Sequence, residues 1–291
     1  MSYTIQEFTL QNPQFPESLS RAEPAIQQLF VASHQWPELL QRPRVAIVGS
    51  RKITPYGQQV TQQFTQQLVQ QGIVIVSGLA IGVDACAHRA ALAANGQTIA
   101  VMPADLTDIY PRSHHHLAQQ IIERGGALIS EYAQPTPPRK WNFIERNRIV
   151  AGIAAVILVT EATRKSGTMH TARFALEQGK DVFAIPGPIT HDTSTGTNQL
   201  IKTGAGLASG VDDILLALGI TPKEQKRAIR VADPNQQILV DLFATGEQDG
   251  VIVFEKSKLP ITVFNQALTM LEITGVLTAL GNNKWALRYT M

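Results

Sequence analysis

Residues 44–95 contain the pattern that most constrains the fold. Residues 45–48 and 73–76 are short, continuously apolar runs, which are typical of strands buried on both faces of a sheet. The first run ends at Gly49, and the segment between the two runs has large side chains at a helical spacing of four: Tyr56, Val60, Phe64 and Leu68. Gly72 stands where a glycine typically ends such a helix. The pattern predicts a βαβ unit with a right-handed connection.

The turn after the first strand reads Gly49-Ser50-Arg51 and predicts a phosphate site. Glycine lets a ligand approach the backbone closely, and free N–H groups at a helix start favour an anion. The guanidinium of Arg51 adds donors whose geometry suits phosphate. A tight turn with an exposed arginine explains the same residues, because the complete G-x-G-x-x-G fingerprint is not present.

Strands and helices continue to alternate as far as residue 218. Further buried strands are predicted at 98–102, 127–130, 154–159 and 182–185, with helices at 83–94 and 211–218 and a helix that opens at Ser166-Gly167. Residues 191–205 read as a loop. The alternation predicts an α/β fold with a Rossmann-like, doubly wound, mostly parallel sheet, whose ligands bind beyond the carboxyl ends of the strands.

The composition divides the chain into four parts. Residues 1–43 form a polar, proline-bearing extension that we expect to pack on the core through turns and one short strand at 29–32. Residues 44–220 form the Rossmann-like domain. Residues 221–233 are polar, basic and bounded by proline, which favours a linker, and residues 234–291 form a separate small domain.

The small C-terminal domain is predicted to be a winged helix. Helices at 235–243 and 261–273 precede two strands joined at 281–283. The second helix, which would be the recognition helix, contains no Lys or Arg. A packing or protein-contact role is therefore at least as compatible with its sequence as DNA binding.

Several functional classes find little support in the composition. The chain has one cysteine, no secretory signal and no apolar run approaching the ~20 residues of a membrane span, so we expect a cytoplasmic protein without a membrane segment. Residues 114–116 are three consecutive histidines, but neighbours on a helix point in different directions and do not readily share one ion. We expect a solvated helix start there, and neither a metal nor a cofactor.

Positive charge is concentrated between residues 139 and 173. This stretch contains seven basic residues and two acidic ones, although the whole chain has a net charge of only +2. Such a cluster favours a polyanionic partner. A solvated surface explains the same charges without any partner.

With these residues in place, the chain resembles the DprA (Smf) family of bacterial DNA-processing proteins. The matching segments keep their order and spacing over about 175 residues: VGSR at 48–51, SGLAIGVDACAH at 77–88, YPRSHHHL at 110–117, SE at 130–131, RNR at 146–148, VTEATRKSGTMHTA at 159–172, IPG at 185–187 and GTNQLIKTGA at 196–205. The tail is similar to the winged-helix domain that many members contain. Ile144 stands where the family usually has proline.

The resemblance implies a core that binds single-stranded DNA, forms a homodimer and loads the recombinase RecA onto incoming DNA during natural transformation. It places the binding pocket at Arg51, Lys140 and Phe143, with Lys202 as a further candidate. Arg and Lys suit phosphates, the ring of Phe143 suits base stacking, and the side chain of Asn147 suits a backbone group or a base edge. The full set of expected DNA-binding residues is Gly49, Ser50, Arg51, Lys140, Phe143, Arg146, Asn147, Arg148, Ser166, Gly167 and Lys202. A core position for Phe143 is the alternative to the stacking role.

The main rival is a nucleotide-binding enzyme that resembles phosphoribohydrolases of the same broad fold. Those enzymes have a catalytic glutamate after the glycine-rich loop, where this chain has Met169, His170 and Thr171. Glu161 precedes the loop without an evident acidic partner. A dinucleotide-dependent enzyme would have the complete glycine fingerprint and an acidic residue after the second strand. We therefore expect a protein without catalytic residues.

Overall fold

A computed structural model describes residues 3–20, 22–221 and 231–287. The chain divides into two compact units, Met1–Pro222 and Lys223–Met291.

The helices and strands are numbered in chain order. The described strands are β1 (Ile5–Thr9), β2 (Gln28–Ala32), β3 (Arg44–Gly49), β4 (Val74–Ser77), β5 (Thr98–Val101), β6 (Ala127–Ser130), β7 (Val156–Glu161), β8 (Asp181–Ala184), β9 (Gly206–Leu207), β10 (Leu277–Gly281) and β11 (Lys284–Leu287). The described α-helices are α1 (Glu17–Ser20), α2 (Trp36–Gln41), α3 (Pro55–Gln70), α4 (Val83–Ala93), α5 (His115–Glu123), α6 (Asn142–Glu145), α7 (Asn147–Ile153), α8 (Thr168–Glu177), α9 (Thr195–Lys202), α10 (Val211–Ala217), α11 (Pro234–Phe243), α12 (Gly250–Ser257) and α13 (Ile261–Ile273).

The first unit is built on one mostly parallel sheet. Within the described residues its strand order is β1-β2-β6-β5-β4-β3-β7-β8-β9. The neighbouring strands in the series β6-β5-β4-β3-β7-β8-β9 are all parallel to one another. Strand β2 pairs with β6 in antiparallel orientation, and β1 pairs with β2 in the same way, so these two strands form an antiparallel edge. This arrangement confirms the predicted doubly wound α/β class. The strand order reverses at β3, which pairs with β4 on one side and with β7 on the other.

The apolar runs form buried strands because helices cover both faces of the sheet. Alternate residues of β3 lie in different clusters: Val45 and Ile47 on one face, Ala46 and Val48 on the other. Each fully buried valine or isoleucine contributes about 1.5–3 kcal/mol relative to an exposed position. This two-sided burial is why the central strands lack polar alternation.

Several elements of this unit were not predicted from the sequence: α1, α2, α6, α7, α9, β1 and β9. Helix α7 was not predicted, because six of its seven residues are buried and it has no polar face to mark its period. Helix α9 lies where a loop was predicted: its Thr, Gly and Asn residues are weak helix formers, but Thr197 and Leu200 are buried. Strand β1 was also missed, since Phe8 is its one buried residue and the alternation is absent.

Two of the three histidines form the predicted solvated helix start, since His115 and His116 are exposed at the first positions of α5, but His114 does not. His114 ends a 3₁₀ turn, Arg112–His114, and is 5% exposed, with Nδ1 2.8 Å from the carbonyl oxygen of Leu79. The solvated prediction is therefore wrong for His114. Within the described part of the chain no cluster of His, Cys, Asp or Glu has a geometry that would hold a metal ion.

In the second unit, the described residues 231–287 form three helices followed by a two-stranded hairpin. Its core includes Phe243 of α11, Val253 of α12, and Phe264 and Leu271 of α13. Helix α12 was not predicted from the sequence. The order of elements is compatible with a winged helix, and that assignment stays a prediction.

Most of the predicted linker, residues 222–230, lies outside the described residues. Its last residues belong to the second unit: Val231 packs against the core, and the Asp233 carboxylate accepts hydrogen bonds from the N–H groups of Asn235 and Gln236 at 2.7 and 3.2 Å. Among the described helices, none has the length and apolar character needed to span a bilayer.

Candidate nucleic-acid interface

A cleft of about 820 Å³ opens at the carboxyl ends of β3, β4 and β7, where the strand order reverses. This is the position at which doubly wound sheets bind ligands. Nine of the eleven predicted DNA-binding residues line it: Gly49, Ser50, Arg51, Lys140, Phe143, Arg146, Asn147, Ser166 and Gly167. Arg148 and Lys202 are not among the lining residues.

The turn that contains Arg51 is tightly fixed. The Ser50 hydroxyl accepts a hydrogen bond from the Lys52 N–H at 3.0 Å, and the Ser50 carbonyl accepts one from the Val83 N–H at 3.1 Å. Gly82 makes this approach possible: its φ is +85°, and a Cβ there would lie 2.2 Å from the Ser50 carbonyl oxygen. The side chains of Arg51 and Lys52 are left exposed toward the cleft.

The start of helix α3 differs from the sequence prediction. Two N–H groups at this start are engaged within the protein: Thr54 N–H donates to the Glu161 carboxylate at 3.0 Å, and Gly57 N–H donates to the Thr54 hydroxyl at 3.0 Å. Pro55, the first helical residue, has no N–H. A carboxylate and a hydroxyl of the protein thus occupy these two donors, and cationic side chains are left as the main phosphate-binding groups of this turn.

Phe143 lies on the wall of the cleft and outside the described core clusters. The Arg51 guanidinium carbon is 5.3 Å from the centroid of its ring, a cation–π distance. Tyr110 meets the same ring edge-on, with centroids 5.3 Å apart and an interplanar angle of 73°. The ring is partly exposed, so an aromatic surface and a cation face the same space.

Lys140 reaches the cleft from the end of the proline-rich loop that follows β6. This loop is anchored by Asp105, whose carboxylate accepts a hydrogen bond from Thr136 N–H at 2.7 Å. Burial acts to raise the pKa of Asp105, but hydrogen bonds from Thr107, Thr136 and Asp108 outweigh it and hold the pKa below its usual value. Lys140 itself is exposed, which leaves its ammonium group available to an anion.

Arg146 is a structural residue of the cleft floor. It is 4% exposed, and its guanidinium donates to the carbonyl oxygens of Gly78 and Val101. Its Nε also donates to the Asn147 side-chain oxygen at 3.2 Å, and the Asn147 amide donates to the Gly167 carbonyl at 3.4 Å. The sequence grouped Arg146 with the phosphate-binding residues, whereas the guanidinium is buried and hydrogen-bonded within the protein.

Arg148 is likewise committed to the protein interior. It forms a two-pronged ion pair with Glu131, with N–O distances of 2.7 and 2.6 Å, and also donates to the Pro24 carbonyl at 3.1 Å. The two side chains are only 7% and 15% exposed. The predicted DNA contact through Arg148 is replaced by an ion pair, because its partner follows β6 and is brought close only by the fold.

Ser166 and Gly167 precede helix α8 on the opposite side of the cleft. The Ser166 hydroxyl accepts a hydrogen bond from the Thr168 N–H at 3.2 Å. The first turn of α8 contains no acidic residue, whereas the first turn of α4 contains the buried Asp84. Electrostatically, α8 is the more favourable of these two helix starts for an anion.

Lys202 ends α9 and is exposed, and the structure does not bring it into the cleft. The cleft lining also includes residues that were not predicted from the sequence, among them Lys52, Tyr110 and Thr168. Lys52 adjoins Arg51, and Tyr110 is part of the YPRSHHHL segment, so sequence neighbours of the predicted residues could have indicated both.

The fold and the cleft together define a class of protein: a doubly wound α/β protein with a cationic, aromatic-walled cleft at the reversal of its sheet. The chain belongs to the DNA recombination-mediator protein A family, whose family model matches residues 6–219.

Known relatives carry names of the same family. Protein Smf of Escherichia coli is 47% identical over 172 residues, a match that covers 59% of this chain and 46% of the relative. DNA processing protein DprA of Bacillus subtilis is 40% identical over 171 residues, covering 59% of this chain and 57% of the relative. The chain thus spans about half the length of these curated relatives.

Solved structures of the family share the fold. DprA of Streptococcus pneumoniae superimposes with a TM-score of 0.68 at 38% identity, covering 73% of this chain and 74% of that one. A solved structure of DNA processing protein A from Helicobacter pylori, whose description refers to its single-stranded DNA binding mode, superimposes with a TM-score of 0.65 at 34% identity. The match covers 73% of this chain and 95% of that one.

Proposed function

We propose that this protein is a single-stranded DNA-binding recombination mediator that protects incoming DNA and loads RecA during natural transformation. Family membership and the single-stranded DNA binding mode described for the Helicobacter pylori relative support the class of ligand. The mediator role and RecA as partner rest on the family resemblance. We further propose that it acts as a homodimer in the cytoplasm.

One observation carries the proposal: Arg51, Lys140 and Phe143 line a single cleft at the reversal of the sheet. The three come from different segments, the turn after β3, the proline-rich loop and helix α6, and the fold brings them together. Cations beside an aromatic surface are the two components by which proteins bind single strands. The cations neutralise the phosphates, and the ring offers a face to an unpaired base.

This combination favours single-stranded over double-stranded DNA. A base in a duplex is stacked on its neighbours, so it must leave the stack before it can meet Phe143, and that costs a few kcal/mol. An unpaired base has no such barrier. The cations alone would bind either form, and we therefore assign the preference to the aromatic wall.

The test is a binding titration with fluorescently labelled single- and double-stranded oligonucleotides of equal length, at several salt concentrations. The proposal predicts tighter binding of the single strand and a linear fall of log K with log salt. Equal affinity for both forms, or no binding of the single strand at low salt, would refute it.

The enzyme alternative receives no support from the cleft. Glu161 is 2% exposed, and both of its carboxylate oxygens accept hydrogen bonds from Thr54, which leaves it poorly placed as a general base. Met169, His170 and Thr171 offer no carboxylate in its place. Incubation with nucleoside monophosphates should release no free base; release that depends on Glu161 would favour the enzyme.

We also propose that the C-terminal unit contributes little to DNA affinity. Residues 223–291 contain eight basic and seven acidic residues, so this unit lacks the local excess of positive charge found between residues 139 and 173. On α13 the residues Thr262, Asn265, Gln266 and Thr269 are exposed, and all are uncharged. Such a surface is better suited to protein contact than to phosphate.

A further inference from the structure

We propose that the Glu161 carboxylate occupies the anion position at the start of α3, where it fixes the turn that contains Arg51 and excludes free phosphate and mononucleotides. In this role Glu161 is a positioning and specificity residue. The inference rests on the proposed function, because it concerns which phosphates the DNA-binding cleft accepts.

Glu161 holds both ends of the turn. Its backbone carbonyl accepts a hydrogen bond from the Ser50 N–H at 2.7 Å. Its side chain accepts hydrogen bonds from the Thr54 N–H at 3.0 Å and from the Thr54 hydroxyl at 2.7 Å. Arg51 and Lys52 lie between these two anchors, so one residue at the end of β7 determines where both cations point.

The carboxylate lies in close contact with the helix start. A Cβ added at Gly57 would be 2.1 Å from Glu161 Oε2, so only glycine leaves room for the carboxylate at this point of the first turn. The side chain is 2% exposed and therefore fills a protected position. In phosphate-binding α/β proteins that position belongs to the ligand, since helix N–H groups and the helix dipole favour an anion.

A carboxyl group also lies at the start of α4, although its hydrogen-bond donors precede the helix. The buried Asp84 accepts hydrogen bonds from the N–H groups of Gly78 and Ala80 at 3.1 and 3.4 Å, ahead of the helix that begins at Val83. The protein thus places a carboxyl group of its own beside both helix starts that follow β3 and β4, although burial raises the pKa of Asp84 and so weakens its charge. A free phosphate, which depends on such N–H groups, finds fewer donors there. A DNA strand gains affinity from several phosphates and a base at once, and it binds through exposed side chains.

The test compares Glu161→Gln with the parent protein. The glutamine amide keeps an acceptor for Thr54 N–H and removes the charge, so the turn is retained while the start of α3 becomes attractive to anions. Dissociation constants for inorganic phosphate and for a deoxynucleoside monophosphate are measured by calorimetry at constant ionic strength. The matched control is Glu145→Gln, which removes the charge of an exposed glutamate that accepts a hydrogen bond from the Tyr132 hydroxyl.

We expect Glu161→Gln to bind phosphate roughly tenfold more tightly than the parent, with Glu145→Gln unchanged. Equal phosphate affinity in the folded Glu161→Gln variant and the parent would overturn the inference. Oligonucleotide titrations on the same samples separate the two proposals. A parent protein that does not bind DNA, with a phosphate gain in Glu161→Gln, would refute the DNA-binding function and leave the role of Glu161 standing.

A second variant keeps the inference testable if the glutamine variant folds poorly. Glu161→Ala leaves the Thr54 N–H without its acceptor, and a small carboxylate should fill the space. Formate is expected to raise the thermal midpoint of Glu161→Ala more than chloride does at equal ionic strength, and to leave the parent unaffected. An equal effect of both salts on Glu161→Ala would contradict the inference.

Discussion

Replacement of Phe143 by alanine tests the aromatic half of the DNA-binding proposal. In the free protein the Arg51 guanidinium carbon lies 5.3 Å from the centroid of the Phe143 ring. The Tyr110 ring packs edge-on with it, and the two ring centroids are 5.3 Å apart. Phe143 lies outside the described core clusters, and its surface is partly exposed. The substitution should therefore remove a binding surface and leave the fold intact.

The size of the effect follows from these contacts. A base stacked on an aromatic side chain contributes about 1–3 kcal/mol, which corresponds to a dissociation constant roughly 5- to 150-fold weaker in Phe143→Ala. The dependence of log K on log salt should not change, because the ring neutralises no phosphate. The decrease in stability should stay below the ~3–5 kcal/mol of a fully buried phenylalanine.

The assay is fluorescence anisotropy with a labelled single-stranded oligonucleotide at four salt concentrations, with thermal melts of the same samples. Trp141→Ala is the matched control: Trp141 is an aromatic residue two positions away, 56% exposed, and it contacts Arg139 outside the cleft lining. Unchanged affinity in Phe143→Ala, or an equal decrease in Trp141→Ala, would refute the stacking role. If Phe143→Ala loses as much stability as the truncation of a fully buried phenylalanine, ~3–5 kcal/mol, the ring belongs to the core.

Three further predictions concern the rest of the molecule. Deletion of residues 222–291 should leave most of the single-strand affinity, because the basic cleft lies in the first unit; near-complete absence of binding by a folded truncated protein would contradict this. Arg148→Ala should lower stability by about 3–5 kcal/mol, because it leaves the Glu131 carboxylate, which is largely shielded from solvent, without its ion-pair partner. Arg112→Ala should change stability little because its pair with Asp108 is exposed, and thermal melts that fall equally would refute the distinction. Light scattering at micromolar concentration should give the mass of a homodimer, and a monomer mass would count against the proposed assembly.

The sequence predicted the central sheet well because its strands are locally distinctive. Continuous apolar runs of four to six residues place β3, β4 and β7, and the first two runs are followed by glycine and serine. The alternation with helices requires a parallel order. The chain near Arg51 could be predicted for the same reason, since it directly follows a strand that the pattern identifies. The approximate place of the cleft follows from the topology.

The roles of the basic residues could not be predicted in the same way. A cluster of positive charge in a sequence does not reveal which side chains are buried. Arg146 meets carbonyl groups 68 and 45 positions away, and Arg148 meets a carboxylate 17 positions away. Every residue has a backbone carbonyl, so the sequence cannot show which carbonyl groups accept hydrogen bonds from Arg146. Nothing in the residues around Glu131 indicates that it pairs with Arg148.

Helix starts show a similar limit. The sequence placed an anion site at the start of α3 because glycine, serine and arginine precede it. The structure fills that start with Glu161, which is 107 positions from Thr54. A buried carboxylate beside a helix start is a tertiary contact, and local periodicity carries no information about it.

The central claim is that Arg51 and Lys140 of one cleft neutralise DNA phosphates, and the salt dependence of binding tests it most directly. Arg51→Glu and Lys140→Glu are compared with Arg124→Glu, which reverses an exposed charge beyond α5 and outside the cleft lining. We predict weaker single-strand binding for both cleft variants, with a log K against log salt slope shallower by roughly 0.7 for each phosphate that the variant no longer neutralises. Arg124→Glu should keep the parent slope. Parent-like slopes and affinities in both folded cleft variants would contradict the account.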